Sequence, residues 1–262
     1  EKYTLLGISE MWEALIFSTA ADLWGSVPYS QAVNPRYTSP VFDSQREIHD
    51  SIIDLLDNAI VHLQQGQDFK KLNDFTFDGD QTKWTAAART LQARIRLNWA
   101  EVDGINAYQE ALAYAEQGIS EPSGSDDWRP LHRAGNNDEE SIWHQFFNEN
   151  FNDIMAHGGA GLLLVDMLKK DQDGRLPIYF SQSVYNSGDH SAFNDSIVGT
   201  APYDTLPPPY PSHLNQDTFG AEDWGVQWVS WHENQFIKME CQYKLGQESN
   251  AQNTLNNTLS AM

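Results

Sequence analysis

The chain has 262 residues, a formal net charge of −21 and a mean hydropathy of −0.55. Charge of that sign repels phosphate backbones and anionic lipid surfaces, which argues against nucleic acid as a partner. No run of the chain approaches the roughly 18 consecutive apolar residues that a membrane-spanning helix needs. Even so, 40% of the residues are apolar, with 9 Trp, 10 Tyr and 12 Phe, enough to build a sizeable core.

In chain order, Leu5, Ile8, Met11, Trp12, Leu15 and Ile16 fall at helical spacing and predict a helix over 5–24 with a broad apolar face, stopping at Gly25. Residues 30–42 are rich in Ser, Asn and Pro and read as loop. Ser44 is placed as an N-cap, with Glu47 three residues on for a capping box. Ile48, Ile52, Leu55, Leu56 and Leu63 then predict an amphipathic helix ending by Gly66. A third helix is expected from Thr82 to about Val102, broken by Asp103-Gly104, with a partner helix from Ala107 to Gly118. From Ser120 to Val229, Gly, Pro, Asp, Asn and Ser dominate, as in Pro207-Pro208-Pro209-Tyr210-Pro211, and periodicity returns only over 159–170. A structureless stretch of that length is seldom idle in a compact domain. A last helix pair is predicted over 231–262, with Gly246 as the stop of its first member and the small Ala251 allowing close approach. Glycine stops followed by small residues match the layout of tetratricopeptide-type repeats.

The fold class expected is therefore all-α. Tetratricopeptide-like helix pairs (an α-α superhelix) occupy 1–118 and 231–262, a large irregular, loop-rich insertion occupies 119–230, and the whole reads as one domain over 1–262. Both ends read as cuts inside helices. The single cysteine, Cys241, lies on an apolar-rich helix and is expected as a buried thiol.

Several stretches resemble the SusD/RagB family of outer-membrane glycan-binding lipoproteins, and they occur in the family's order. They are Ala20 to Tyr29, with its Trp24-Gly25-Ser26-Val27-Pro28 exit; Phe42 to Leu63; and Trp84 to Leu97. Asp171 to Phe180 follows, with Arg175-Leu176-Pro177-Ile178-Tyr179-Phe180, and then Glu233 to Ala251. The chain departs from the family pattern at Asp173-Gly174-Arg175, where Asp-Pro-Arg is commoner, and at Glu240-Cys241. The resemblance implies helix pairs supporting a loop-built face. It implies an oligosaccharide or polysaccharide ligand, a SusC-type TonB-dependent transporter as partner, no catalysis and no cofactor. It also implies an extracellular place at the outer membrane, reached through a lipid anchor not present in this chain.

Sugars are held by aromatic rings against their C–H faces and by amide, carboxylate and guanidinium groups on their hydroxyls. Trp12, Trp84 and Trp99 lie on periodic helices and are expected in the core, and Trp24 at a helix end is expected to be structural. Trp128 and Trp224 sit among turn residues and are candidate exposed platforms. Trp143, in an alternating strand-like stretch with Phe146 and Phe147, and the loop residues Tyr185 and Tyr210 complete the candidate ligand set.

Signals for catalysis are poor. His232-Glu233 opens a zinc-protease-like pattern, but Phe236 stands where the second His is needed. Asp171-Gln172-Asp173-Gly174 is faintly like a calcium loop but has Gln182 at the twelfth position, so a structural turn is expected and no metal site. Two alternatives remain. A tetratricopeptide scaffold for a protein partner would show a continuous concave groove. An α-helical glycoside hydrolase would show two convergent carboxylates in an aromatic cleft.

Overall fold

The computed structural model describes residues 2–66, 74–135, 138–145, 159–183, 197–201 and 212–261. The helices are α1 (Lys2–Trp24), α2 (Gln45–Gln65), α3 (Gln81–Asn98), α4 (Ala100–Asp103), α5 (Ile105–Ala115), α6 (Ile142–His144), α7 (Leu162–Lys170), α8 (Leu176–Tyr179), α9 (Trp231–Lys244) and α10 (Glu248–Ser260). Among the described residues, extended pairing is confined to isolated bridges, so the fold is all-α. The chain divides into two compact units, Glu1–Arg129 with Gln227–Met262, and Pro130–Val226.

The first unit is built from antiparallel neighbours. The start of α1 meets the end of α2: a Cβ on Gly7 would stand 2.8 Å from Leu63 Cγ and 2.9 Å from the Ala59 carbonyl. Any side chain there would force the two helices apart. α2 begins at Ser44, whose hydroxyl accepts from Glu47 N while its own N–H donates to the Glu47 carboxylate at 3.0 Å, the capping box expected from the sequence. α2 in turn pairs with α3. Gln92 and Arg89 both donate to Asp57 Oδ1, at 3.0 and 2.9 Å.

The third helix is shorter than its sequence pattern. It ends at Asn98, and the separate turn α4 carries the chain to Gly104. Trp99 stands at the break. Its indole N–H donates to His49 Nδ1 at 2.8 Å, and the Arg46 guanidinium lies 3.9 Å from the centre of its ring. Because Nδ1 accepts, the His49 proton sits on Nε2, which faces Asp22 at 3.4 Å. These side-chain contacts draw the backbone out of the helical path.

α9 is fixed by polar contacts at several points. Asn234 donates to the carbonyls of Ala115 and Ile119, both at 2.9 Å, tying α9 to the end of α5. Ser230 caps its first turn. Arg94 forks onto both oxygens of Glu233 and donates to the Trp228 carbonyl, so this acidic residue is engaged in an ion pair. Gly246, at φ 75°, takes the left-handed conformation that ends the helix, and Ala251 packs α10 back onto α9. Cys241 is buried, and desolvation pushes its thiol pKa up to about 12, which leaves it chemically quiet.

One aromatic cluster anchors this unit. Trp12 and Trp84 each meet Trp128 edge-on at 5.0 Å between ring centres, and Phe77 meets Trp84 at 5.0 Å. Trp24, by contrast, is 72% exposed rather than packed.

The second unit has a small core of Ala160, Val165, Leu168 and Phe180. Its backbone is held by single bridges, Gly161 with Thr200 and Phe180 with Leu214. The described part of the stretch read as strand-like around Trp143 is the short helix α6, begun at Ser141. Phe146 and Phe147 lie outside the described residues.

Candidate functional site

The candidate site lies in the second unit and is assembled around α8. α7 buries Val165 and Leu168 and ends at Lys169-Lys170, where positive charge suits the carbonyl end of a helix. The chain then turns at Asp173. Both of its carboxylate oxygens accept from the Arg175 guanidinium, and Oδ1 also accepts from Arg175 N at 2.9 Å. These bonds hold the Asp173 pKa down at about 2. The Asp-Gly-Arg turn is thus a closed ionic clasp that aims the chain into α8, where Pro177 suits the first helical turn.

A second segment is clamped against α8. Asn215 N donates to the Tyr179 carbonyl at 2.9 Å and Asn215 Nδ2 to the Pro177 carbonyl at 2.8 Å. Thr218 Oγ1 donates to the Ile178 carbonyl, and Ser181 N to the His213 carbonyl at 2.9 Å. Between these segments lies a cavity of about 690 Å³, inside the range of about 300–1,000 Å³ typical of small-ligand sites. Leu176, Pro177, Phe180 and Ile197 form its apolar wall. Lys169, Ser181, Gln182, Asn215 and Asp217 supply its polar lining. Asn215 is spent on the backbone, its Oδ1 accepting from Asp217 N at 2.9 Å, and Ser181 Oγ leans on the His213 carbonyl at 3.3 Å. The side chains of Lys169, Gln182 and Asp217 make no hydrogen bond or ion pair among the described residues.

Beside the cavity runs a row of rings. Tyr179 meets Phe219 at 5.2 Å, and Phe219 meets Trp224 at 4.5 Å and 53°. Arg175 lies 6.0 Å from the centre of the Tyr179 ring. The helix of Trp143 is tied to the same segment as Trp224: Ser141 N donates to the Glu222 carbonyl at 2.7 Å, and His144 Nδ1 lies 2.9 Å from the Gly220 carbonyl.

The sequence-based candidates therefore separate. Trp143 is 45% exposed and Trp224 half-buried, and both belong to segments joined at 220–222. Trp128 is a correction. It is completely buried in the first unit, pinned by Trp12 and Trp84 and by backbone bonds with Val229 (2.8 Å) and Trp228 (2.9 Å), so it has no face for a ligand. Tyr185 and Tyr210 lie outside the described residues. Tyr179, Phe219, Lys169, Gln182 and Asp217 were not among the sequence-based ligand candidates. The Arg175-to-Phe180 stretch did stand out, but nothing in its spacing pointed to its partner segment near Asn215.

A family model for SusD-like proteins, described as "Starch-binding associating with outer membrane", matches residues 2–261. The chain belongs to the SusD-like family. No curated protein matches it. Among solved structures it is similar to a SusD/RagB family protein from Bacteroides thetaiotaomicron, at 23% identity and a TM-score of 0.75, over 99% of this chain and 52% of that one. A SusD homolog from Bacteroides ovatus superposes with a TM-score of 0.76 at 19% identity, over 98% of this chain and 52% of the other. A chitin-binding protein superposes with a TM-score of 0.73 at 21% identity, over 92% and 52%. At these identities the likeness concerns the fold, and this SusD-like chain spans about half the length of the solved proteins it resembles.

Proposed function

We propose that this SusD-like chain captures oligosaccharide at the outer face of the outer membrane and passes it to a TonB-dependent transporter of the SusC type. The role is binding rather than bond cleavage. The observation that carries the reading is the cavity of the second unit: an apolar wall, exposed polar side chains with no partner among the described residues, and a row of aromatic rings alongside. That combination suits a sugar, whose C–H faces are apolar and whose rim is covered with hydroxyls. The family's description as starch-binding and the chitin-binding structural neighbour support the same ligand class. Trp143 and Trp224 are the proposed ring contacts from the original candidate set, with Tyr185 and Tyr210 kept for the same variant series.

Affinity electrophoresis of the chain in gels containing starch, xylan, β-glucan or glycol chitin tests the capture step. Retardation in at least one gel is expected, and migration unaffected by every polysaccharide would defeat the reading. Co-purification with a transporter encoded beside it tests the delivery step separately.

A further inference from the structure

We infer that the cavity against α8 is a subsite for the N-acetyl group of an amino sugar. The inference rests on the glycan-binding reading above and names the sugar class for it. The argument starts from which polar groups remain unspent. Asn215 and Ser181 are committed to backbone partners, so they position the segments rather than greet a ligand. What is left, on solvent-exposed side chains lining the cavity, is the acceptor-only Asp217 carboxylate, the Lys169 ammonium as a donor, and the Gln182 amide, which can donate or accept. They stand around a wall made by Leu176, Pro177, Phe180 and Ile197.

An acetamido group has the complementary set: one N–H to donate, one carbonyl to accept, and one methyl that gains by leaving water. Asp217 takes the N–H, Lys169 or Gln182 serves the carbonyl, and the apolar wall covers the methyl. A plain hexose presents a hydroxyl at the same carbon. It can satisfy the polar groups but leaves the apolar wall without a partner. A uronate would engage Lys169 but would set a second carboxylate against Asp217, in a chain that already carries a charge of −21. A free amine would engage Asp217 but face Lys169. The neutral amide engages Asp217, one of the two donors and the wall together, without setting a like charge against Asp217 or Lys169.

Cello-oligosaccharides and chito-oligosaccharides of equal length decide the matter. They share the same linkage and differ only in whether the second carbon bears a hydroxyl or an acetamido group. Isothermal titration of the unaltered chain with both, and with malto-oligosaccharides, is expected to show at least about tenfold tighter binding of the chito series. Asp217→Ala and Lys169→Met should erase the preference while circular dichroism shows the helices intact. Equal binding of the two series, binding of the malto series alone, or a preference that survives both substitutions would overturn the subsite and leave glycan capture standing. If no oligosaccharide or polysaccharide binds at all, the capture reading itself falls, and the subsite with it.

Discussion

The two units of this chain solve opposite problems. The first consists of long helices whose apolar faces close on one another, tied by polar bonds such as those from Asn234 Nδ2 to the Ala115 and Ile119 carbonyls. The second holds together through short helices, single bridges and clasps such as Asp173 with Arg175, around a small core. The first unit spends Trp12, Trp84 and Trp128 on packing, although Trp24 at the end of α1 stays 72% exposed. The second leaves Trp143 partly exposed, and beside its row of rings it keeps the exposed Lys169, Gln182 and Asp217 at a cavity, without partners among the described residues. The contrast lies in what surrounds the rings: apolar packing around Trp128, and solvent-exposed polar side chains near Tyr179 and Phe219.

The largest effect that tests this contrast is the removal of a core ring. Trp128→Ala should lower stability by about 3–5 kcal/mol in denaturant titration and leave glycan affinity unchanged under conditions where the protein remains folded. Trp224→Ala should do the reverse, weakening glycan binding about tenfold in titration calorimetry with little change in melting. Exchange of the two phenotypes would break the comparison.

A smaller effect concerns Asp127, buried beside Trp128, which accepts from Trp231 N at 2.7 Å and Gln227 Nε2 at 2.8 Å. Asp127→Ala should cost about 1–3 kcal/mol, because those donors lose their acceptor. Asp127→Asn keeps one acceptor and should cost less. Burial raises the Asp127 pKa above its ordinary value of 3.8. Its contribution to stability is therefore full below that value and declines as pH rises through the raised pKa. Chemical denaturation across pH should show this decline shrinking in the Asn variant.

Asp173 in the second unit has the opposite sign. Its pKa, lowered to about 2 by Arg175, gives a contribution present above 3.8 and lost as pH falls toward 2. Arg175→Ala should return the Asp173 carboxyl resonance toward an ordinary titration midpoint in NMR, and an unmoved midpoint would remove the clasp from the account. The smallest effect is expected at Lys244→Met, which breaks the exposed pair with Glu101 and the contact of the ammonium with the Tyr108 ring at 5.5 Å, and should lower the melting temperature only slightly.

How legible these features were depends on the range of the forces behind them. Helix limits at Gly25, Ser44 and Gly246 were readable because capping and left-handed stops are settled within a few residues. The break at Trp99 was not, since it follows from contacts with His49 and Arg46 on another helix. Trp128 failed for the same reason. Its neighbours Asp126, Asp127 and Pro130 look like a surface turn, but pairing with Val229 and the rings of Trp12 and Trp84 carries it inward. Trp143 and Trp224 stood out among polar surroundings. The cavity did not, because its lining comes from three segments brought together by single hydrogen bonds that leave no periodic trace.

Hydrogen exchange measured with and without the tightest-binding glycan tests most directly where the ligand sits. The account predicts new protection in 169–182 and 212–224 of the second unit, with exchange in α1, α2, α3 and α5 unchanged. Protection that appears on those long helices, while the segments around α8 exchange as before, would contradict it.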